Sequence, residues 1–249
     1  MKDYTRREAL KMMGTTSAML PFGLVSAKGK SGDSASKAKI LVAGAHPDDP
    51  ETGCGGTMAL LANQGHEVVS LYLTRGEAGI PGKSHDDAAS IRTKEAKKAC
   101  EILEARPRFA GQIDGDTVVN NEWFKKVGAI FDEEQPDVIF THWPVDSHRD
   151  HRAMSLLAYD WWLNNGKKAA LYYFEVLSGI QSQVFDPDFY IDISSVEPTK
   201  RKACYAHASQ HPDEMYGIHE QMASFRGLEH RCDYAEAFVY HDQGPQMKK

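Results

Sequence analysis

From Lys39 onward, apolar runs of strand length alternate with longer segments whose apolar residues recur at helical spacing. "KILVAGA", Lys39 to Ala45, reads as a buried first strand, and a helix from about Glu51 to Gln64 should end at Gly65 in the C′ position. "VVSLYLT", Val68 to Thr74, predicts the second strand. A helix from about Asp87 to Glu104 then carries Ala96, Ala99, Cys100 and Leu103 on one face. A weaker strand around Pro107 to Ile113 and a helix from Asn121 to Glu134 follow, and Pro136 separates that helix from a strand at Asp137 to Trp143. A helix from about Asp150 to Asn164 and strands at Ala169 to Leu177 and Phe189 to Ile193 complete the alternation; the region past Pro198 reads as mostly helical. The fold class predicted is α/β, a Rossmann-like three-layer αβα sandwich with a mostly parallel sheet. Such sheets bind ligands beyond the carboxyl ends of their strands. The rule places the His46 to Glu51 loop and the loops after Thr74 and Trp143 on one rim.

Composition narrows the function classes. The chain has 249 residues, 41% hydrophobic and 26% charged, which suits one soluble α/β domain. A formal net charge of -6 argues against a nucleic-acid partner, because phosphate neutralisation requires Lys and Arg gathered on one face. Four cysteines without a CxxC pair suggest neither a disulfide framework nor a zinc knuckle; Cys54, eight residues after His46, is a packing residue or a thiolate ligand, with its flanking glycines favouring packing. At the N-terminus, "TRREALKMMG" sets Arg6 and Arg7 before a weakly apolar run, Met12 to Ala27, shorter than a membrane span. Residues 1–27 resemble a twin-arginine-type export signal, which implies a periplasmic or extracellular location. Residues 28–38 have linker composition, and 39–249 read as a single domain with no stable membrane span and with homo-oligomerisation open.

The chemistry concentrates in "AHPDDPETGCGG", Ala45 to Gly56. A dinucleotide turn requires GxGxxG directly after the strand; here five polar or rigid residues intervene, and two carboxylates would repel phosphate. A metal site suits the residues better. His46, Asp48 and Asp49 present an imidazole and two acids on a turn stiffened by Pro47 and Pro50, and adjacent acids in a turn point in different directions. One is then free to ligate while the other meets a water. "HRDH" adds His148, Asp150 and His151 at a second strand end, although a solvated polar helix start capped by Asp146 or Ser147 explains that element equally well on its own.

Taken in order, "AHPDD", "GCGGT", "LTRGEAG" and an HxDH element resemble the LmbE-like or PIG-L deacetylases, zinc hydrolases that remove N-acetyl groups from amino sugars. The resemblance covers Lys39 to about Gln210. It implies that His46, Asp49 and His151 ligate Zn2+ (Fe2+ or Co2+ also suits an N/O site), that Asp48 is the general base and that His148 supports the oxyanion, best as the protonated imidazole. Asp150 would orient a neighbouring histidine. Two positions depart from the family's habit: Pro50 stands where many members carry an acid, and Arg149 where many carry proline, placing a cation that would lower the pKa of His148.

Weaker signals surround these. Arg75 with Glu77, and Arg92 with Glu95, either bind sugar hydroxyls or form structural ion pairs; Trp143 is placed to stack on a sugar; His207, Ser209 and Gln210 are expected on the rim; His219 reads as a surface residue. The function implied is removal of the N-acetyl group from an N-acetylglucosamine-type sugar or glycoconjugate. The alternatives are a metal-dependent hydrolase of another N-acyl compound or of a phosphoester, and a non-catalytic carbohydrate-binding protein.

Overall fold

The computed structural model describes residues 37–247, so the export-type segment and all but the end of the linker lie outside the described residues. Residues 37–246 fall within one compact unit. Its strands are β1 (Lys39–Gly44), β2 (Glu67–Tyr72), β3 (Ala105–Phe109), β4 (Val138–His142), β5 (Ala170–Phe174), β6 (Phe189–Asp192) and β7 (Ala235–Tyr240). The helices are α1 (Asp49–Asn63), α2 (His85–Ile102), α3 (Asn121–Glu134), α4 (Arg149–Asn164), α5 (Glu197–Tyr205) and α6 (Pro212–His230), with a 3-10 turn at Ala208–Gln210.

One sheet runs in the order β3-β2-β1-β4-β5-β7-β6. β1 to β5 pair in parallel, and β7 enters antiparallel between β5 and β6. The expected mostly parallel α/β sandwich is therefore present, and the region past Pro198 is mostly helical as expected, but it also supplies a strand, β7, that the sequence pattern did not predict. Ala235, Glu236, Ala237 and Phe238 of β7 are all buried, so this strand carries no alternation of polar and apolar residues by which period 2 is read.

Alternation inside the central strands divides the core. Leu41, Ala43, Val69, Leu71, Ile139 and Leu171 pack with Val127 and Phe131 of α3 and Met154, Leu157 and Trp162 of α4. Tyr72, on the opposite face, meets Ala96 and Cys100 of α2. On the face of α1, close approach depends on glycine: a Cβ at Gly53 would stand 2.4 Å from the Phe174 ring, and one at Gly56 would stand 2.7 Å from Ile193. These glycines serve packing, as does the fully buried Cys54. Gly65 follows α1 with φ of +87°, the left-handed residue its position predicted.

The middle of α1 is pinned by a strand far away in sequence. The Glu236 carboxylate on β7 accepts the backbone N–H groups of Gly56 and Thr57, both at 2.8 Å, and pairs with the Lys200 ammonium of α5 at 2.7 Å. Both side chains are buried, which is tolerable only because each charge has its partner.

Candidate active site

The chain runs from β1 outward to β3 and returns through β4 on the other side of β1, so the carboxyl ends of β1 and β4 flank the switch-point crevice. His46 to Asp49 follow β1, His142 ends β4, and His148 to His151 open α4. A cleft of about 450 Å³ lies here, lined by His46, Asp48, Asp49, His148 and His151 together with Arg92 and Asp114.

Asp49 is the meeting point. Its carboxylate lies 3.2 Å from His46 Nδ1, 3.3 Å from His151 Nε2 and 3.2 Å from His142 Nε2. It also accepts the backbone N–H groups of Ala45 (3.1 Å) and His46 (2.7 Å). Burial would raise its pKa, but His151, His142 and His46 outweigh burial and hold it well below the usual carboxylate range. Asp48 has no such company. Its side chain is 28% exposed against 7% for Asp49, and its side-chain partner is the Arg92 guanidinium at 2.9 Å. Burial raises the Asp48 pKa, and Arg92 only partly offsets that rise. The two adjacent acids are thus divided, one among imidazoles and one toward the cleft.

The histidines have carboxylates behind them. His46 Nε2 faces Asp114 Oδ1 at 3.1 Å and Asp150 Oδ2 at 3.2 Å; His151 Nδ1 faces Asp146 Oδ1 at 3.2 Å. With the ring N–H assigned to those sides, His46 Nδ1 and His151 Nε2 turn bare lone pairs toward the Asp49 carboxylate. Lone pairs facing a carboxylate at this separation call for a positive charge between them, either protons or a metal ion. Burial lowers the affinity of both rings for a proton, yet the facing carboxylates prevail, raising His46 well above its usual value and His151 to about 9. Two imidazole nitrogens and a carboxylate suit a divalent transition metal.

Asp150 ties two loops to the first turn of α4: besides facing His46 it accepts from Gly115 N (2.7 Å) and Thr117 Oγ1 (2.6 Å) of the β3–α3 loop. It and His151 are buried in a helix capped by His148, whose Nδ1 accepts from Asp150 N at 3.3 Å, so "HRDH" is not a solvated helix start capped by Asp146 or Ser147. Burial first, and then the charges of His46 and His151, lower the His148 pKa, which disfavours the expected imidazolium form. Arg149 is not among the leading causes of that shift. Its guanidinium turns away to donate to Thr117 O and Gly115 O.

Of the proposed sugar ligands, Arg92 reaches the cleft but is committed to Pro47 O and Asp48 Oδ2 and makes no pair with Glu95, which accepts from Ser209 instead. Arg75 folds back on Glu77 (3.0 Å) and is not among the cleft-lining residues. Trp143 stands outside the lining too, edge-on to Tyr173 and Phe185 with its N–H on Gln183 O. His219, expected at the surface, lines the cleft, and burial lowers its pKa to about 4. Sequence reasoning also passed over His142 and Asp114, and weighed Asp146 only as a helix cap. His142 in "THW" sits at a strand end, the one signal that pointed to it; Asp114 and Asp146 carry none, being single acids in loops.

Comparison with known proteins agrees with this geometry. Residues 41–162 match the PIG-L family, described as GlcNAc-PI de-N-acetylase. A diacetylchitobiose deacetylase of Thermococcus kodakarensis is 30% identical over 197 residues, spanning 73% of each chain. The chain belongs to the PIG-L family. With that family it shares the fold and the deacetylase class of enzyme. Among solved structures, an N,N'-diacetylchitobiose deacetylase of Pyrococcus horikoshii superposes with a TM-score of 0.74 at 26% identity, covering 83% of this chain and 84% of that one. A 4-carboxy-2-hydroxymuconate hydratase of Pseudomonas putida also reaches 0.74, at 23% identity and covering 85% and 98%, which shows the fold alone.

Proposed function

We propose that this enzyme hydrolyses the N-acetyl amide of an N-acetylglucosamine-type sugar or glycoconjugate, with a divalent metal, zinc by preference, held by His46, Asp49 and His151. The observation that carries the reading is the division of the adjacent acids, Asp49 buried among imidazoles and Asp48 open to the cleft beside Arg92. Bound there, the ion would act as a Lewis acid toward the carbonyl and lower the pKa of water. The remaining work falls to the chain. Asp48, at the cleft surface and paired with Arg92, accepts the proton of the attacking water and returns it to the departing amine. His148 keeps Nδ1 on Asp150 N, so its Nε2–H is the donor available to the developing oxyanion, and a neutral imidazole suffices. Asp114 and Gln210 on the cleft wall offer partners for sugar hydroxyls.

The cleft supports an amide over a phosphoester. Arg92 is its sole Arg or Lys among the lining residues and is already paired, whereas Asp48, Asp49 and Asp114 give it negative character. The shared fold with a hydratase makes the substrate panel decisive. Zinc-loaded protein is offered N-acetylglucosamine, N,N'-diacetylchitobiose, a phosphomonoester and an unsaturated dicarboxylate. Acetate release from the first two is expected; phosphate release or hydration without acetate release would overturn the proposal.

The reading includes export to the periplasm or beyond. It rests on the Arg6-Arg7 element and accords with the absence, among the described residues, of any helix long and apolar enough to cross a membrane. Cell fractionation of wild type against an Arg6→Lys, Arg7→Lys variant tests it, and an unchanged distribution between the two sinks it.

A further inference from the structure

Three buried polar groups beneath the cleft floor take no part in the chemistry above: Glu51 and Tyr72, both 0% exposed, and His207, 1% exposed. The Glu51 carboxylate joins them. Its Oε1 accepts the Tyr72 hydroxyl, and its Oε2 lies 3.6 Å from His207 Nε2, an imidazole with no hydrogen-bond partner on either nitrogen. Burying a carboxylate is strongly unfavourable unless it is paired and hydrogen-bonded. The fold has therefore committed a phenol and an imidazole to hold one acid in place. The bond that this acid sends toward the cleft goes to backbone: Oε2 accepts the N–H of Asp48 at 3.2 Å.

Asp48 has a conformation that calls for holding. Its φ of 112° with ψ of -29° is a region that L residues rarely occupy, and it is entered immediately before Asp49 turns inward. Neighbouring groups grip the peptides on both sides of Asp48. The Asp48 carbonyl accepts from Thr52 N (2.8 Å) and Thr52 Oγ1 (3.0 Å), while Arg92 holds the carbonyl of Pro47 and the Asp48 carboxylate. That backbone twist is what sends two consecutive carboxylates in different directions.

We propose that Glu51, backed by Tyr72 and His207, is a positioning residue: by clamping the Asp48 N–H it maintains the positive-φ turn that aims Asp48 into the cleft while Asp49 faces the histidines. The inference rests on the reading of Asp48 as the base of a deacetylase. A Glu three residues after a helix N-cap is also an ordinary capping-box residue, and a cap alone would act on stability without acting on turnover.

The test compares zinc-loaded full chain with Glu51→Leu and Glu51→Gln by crystal structure, bound zinc and acetate release from N,N'-diacetylchitobiose. In Glu51→Leu the Asp48 φ should relax to negative values, and kcat should fall about 10–100-fold with KM within about twofold and zinc content unchanged. Glu51→Gln retains an oxygen acceptor for the Asp48 N–H and should rescue kcat to within about threefold of wild type. An unchanged Asp48 φ in Glu51→Leu, an unchanged kcat, a kcat that falls only in proportion to lost zinc, or a glutamine variant as impaired as leucine overturns the inference. If Glu51→Leu does not fold, Tyr72→Phe decides in its place: reduced kcat at full zinc supports the clamp, and unaltered kcat rejects it. Should wild type release no acetate, the deacetylase reading fails by itself, because the Asp48 φ in the variants still settles whether Glu51 holds the turn.

Discussion

The assignment of different tasks to Asp48 and Asp49 is open to a direct test by removing each carboxylate separately. In Asp48→Ala the His46, Asp49 and His151 cluster is untouched, since the side-chain partner Asp48 loses is Arg92. Metal should remain bound at full stoichiometry. Loss of a general base typically lowers kcat by about 10²–10⁴-fold, equivalent to about 2.7–5.5 kcal/mol of barrier. Asp49→Ala removes the one group that faces His46, His142 and His151 together and strips the acceptor from the backbone N–H of His46, while the Ala45 N–H keeps His142 Nε2 at 3.0 Å. Each buried donor left without a partner costs about 1–3 kcal/mol, so this variant should melt earlier as well as lose metal. The loss of affinity should exceed the roughly 10–100-fold seen when only an outer partner of a ligand is removed. Equilibrium dialysis followed by elemental analysis gives the metal content, and acetate release per bound metal gives the rate. An Asp48→Ala protein that cannot hold metal, or an Asp49→Ala protein that holds it fully and loses only rate, would refute the division.

Three further outcomes are expected. Metal loading should expel protons near neutral pH: burial pulls His151 down, but Asp49 and Asp146 hold it up at about 9, so below that pH the metal displaces a proton and affinity rises as pH climbs toward 9. Calorimetry in buffers of different ionisation enthalpy would show it, and buffer-independent heats would not agree. Lys200→Met leaves the buried Glu236 carboxylate without its counter-charge and should destabilise the fold by about 3–5 kcal/mol in denaturant unfolding, whereas a change under about 1 kcal/mol would mean the pair is dispensable. Gly53→Ala drives a methyl to 2.4 Å from the Phe174 ring and should cost about 1–3 kcal/mol; an unchanged melting midpoint would show that α1 can shift away freely.

What the chain disclosed at the level of sequence depended on pattern length. The helix at Asn121–Glu134 was legible to the residue because Asn120 caps it and Pro136 follows it, and β1, β2, β4 and β5 were legible because apolar runs bury both faces, whereas the half-buried edge strand β3, Ala105–Phe109, was placed a few residues late. β7 was hidden by its small and acidic residues, Ala235 to Ala237, whose burial follows from Lys200 and α1, partners far away in sequence. In the site, His46, Asp48, Asp49 and the "HRDH" histidines stood out because several unusual residues adjoin one another. Asp114 and Asp146 did not, since a single acid in a loop is ordinary until the fold sets it behind an imidazole. Trp143 misled for the converse reason: its position beside the cluster was right, but its ring packs on Phe185.

The bond between Glu236 and the middle of α1 has a bearing on how the protein is made. The helix that begins with Asp49 receives this anchor from a residue 180 positions downstream. At ribosomal rates of about 5–20 residues per second, roughly 10–40 s pass between synthesis of the two. During that interval the nascent chain carries the His46–Asp49 turn without the support of β7, and Lys200 emerges before its counter-charge. Maturation of the cleft is thereby tied to synthesis of β7, and a chain that stops short of that strand lacks the anchor of the helix that begins with Asp49.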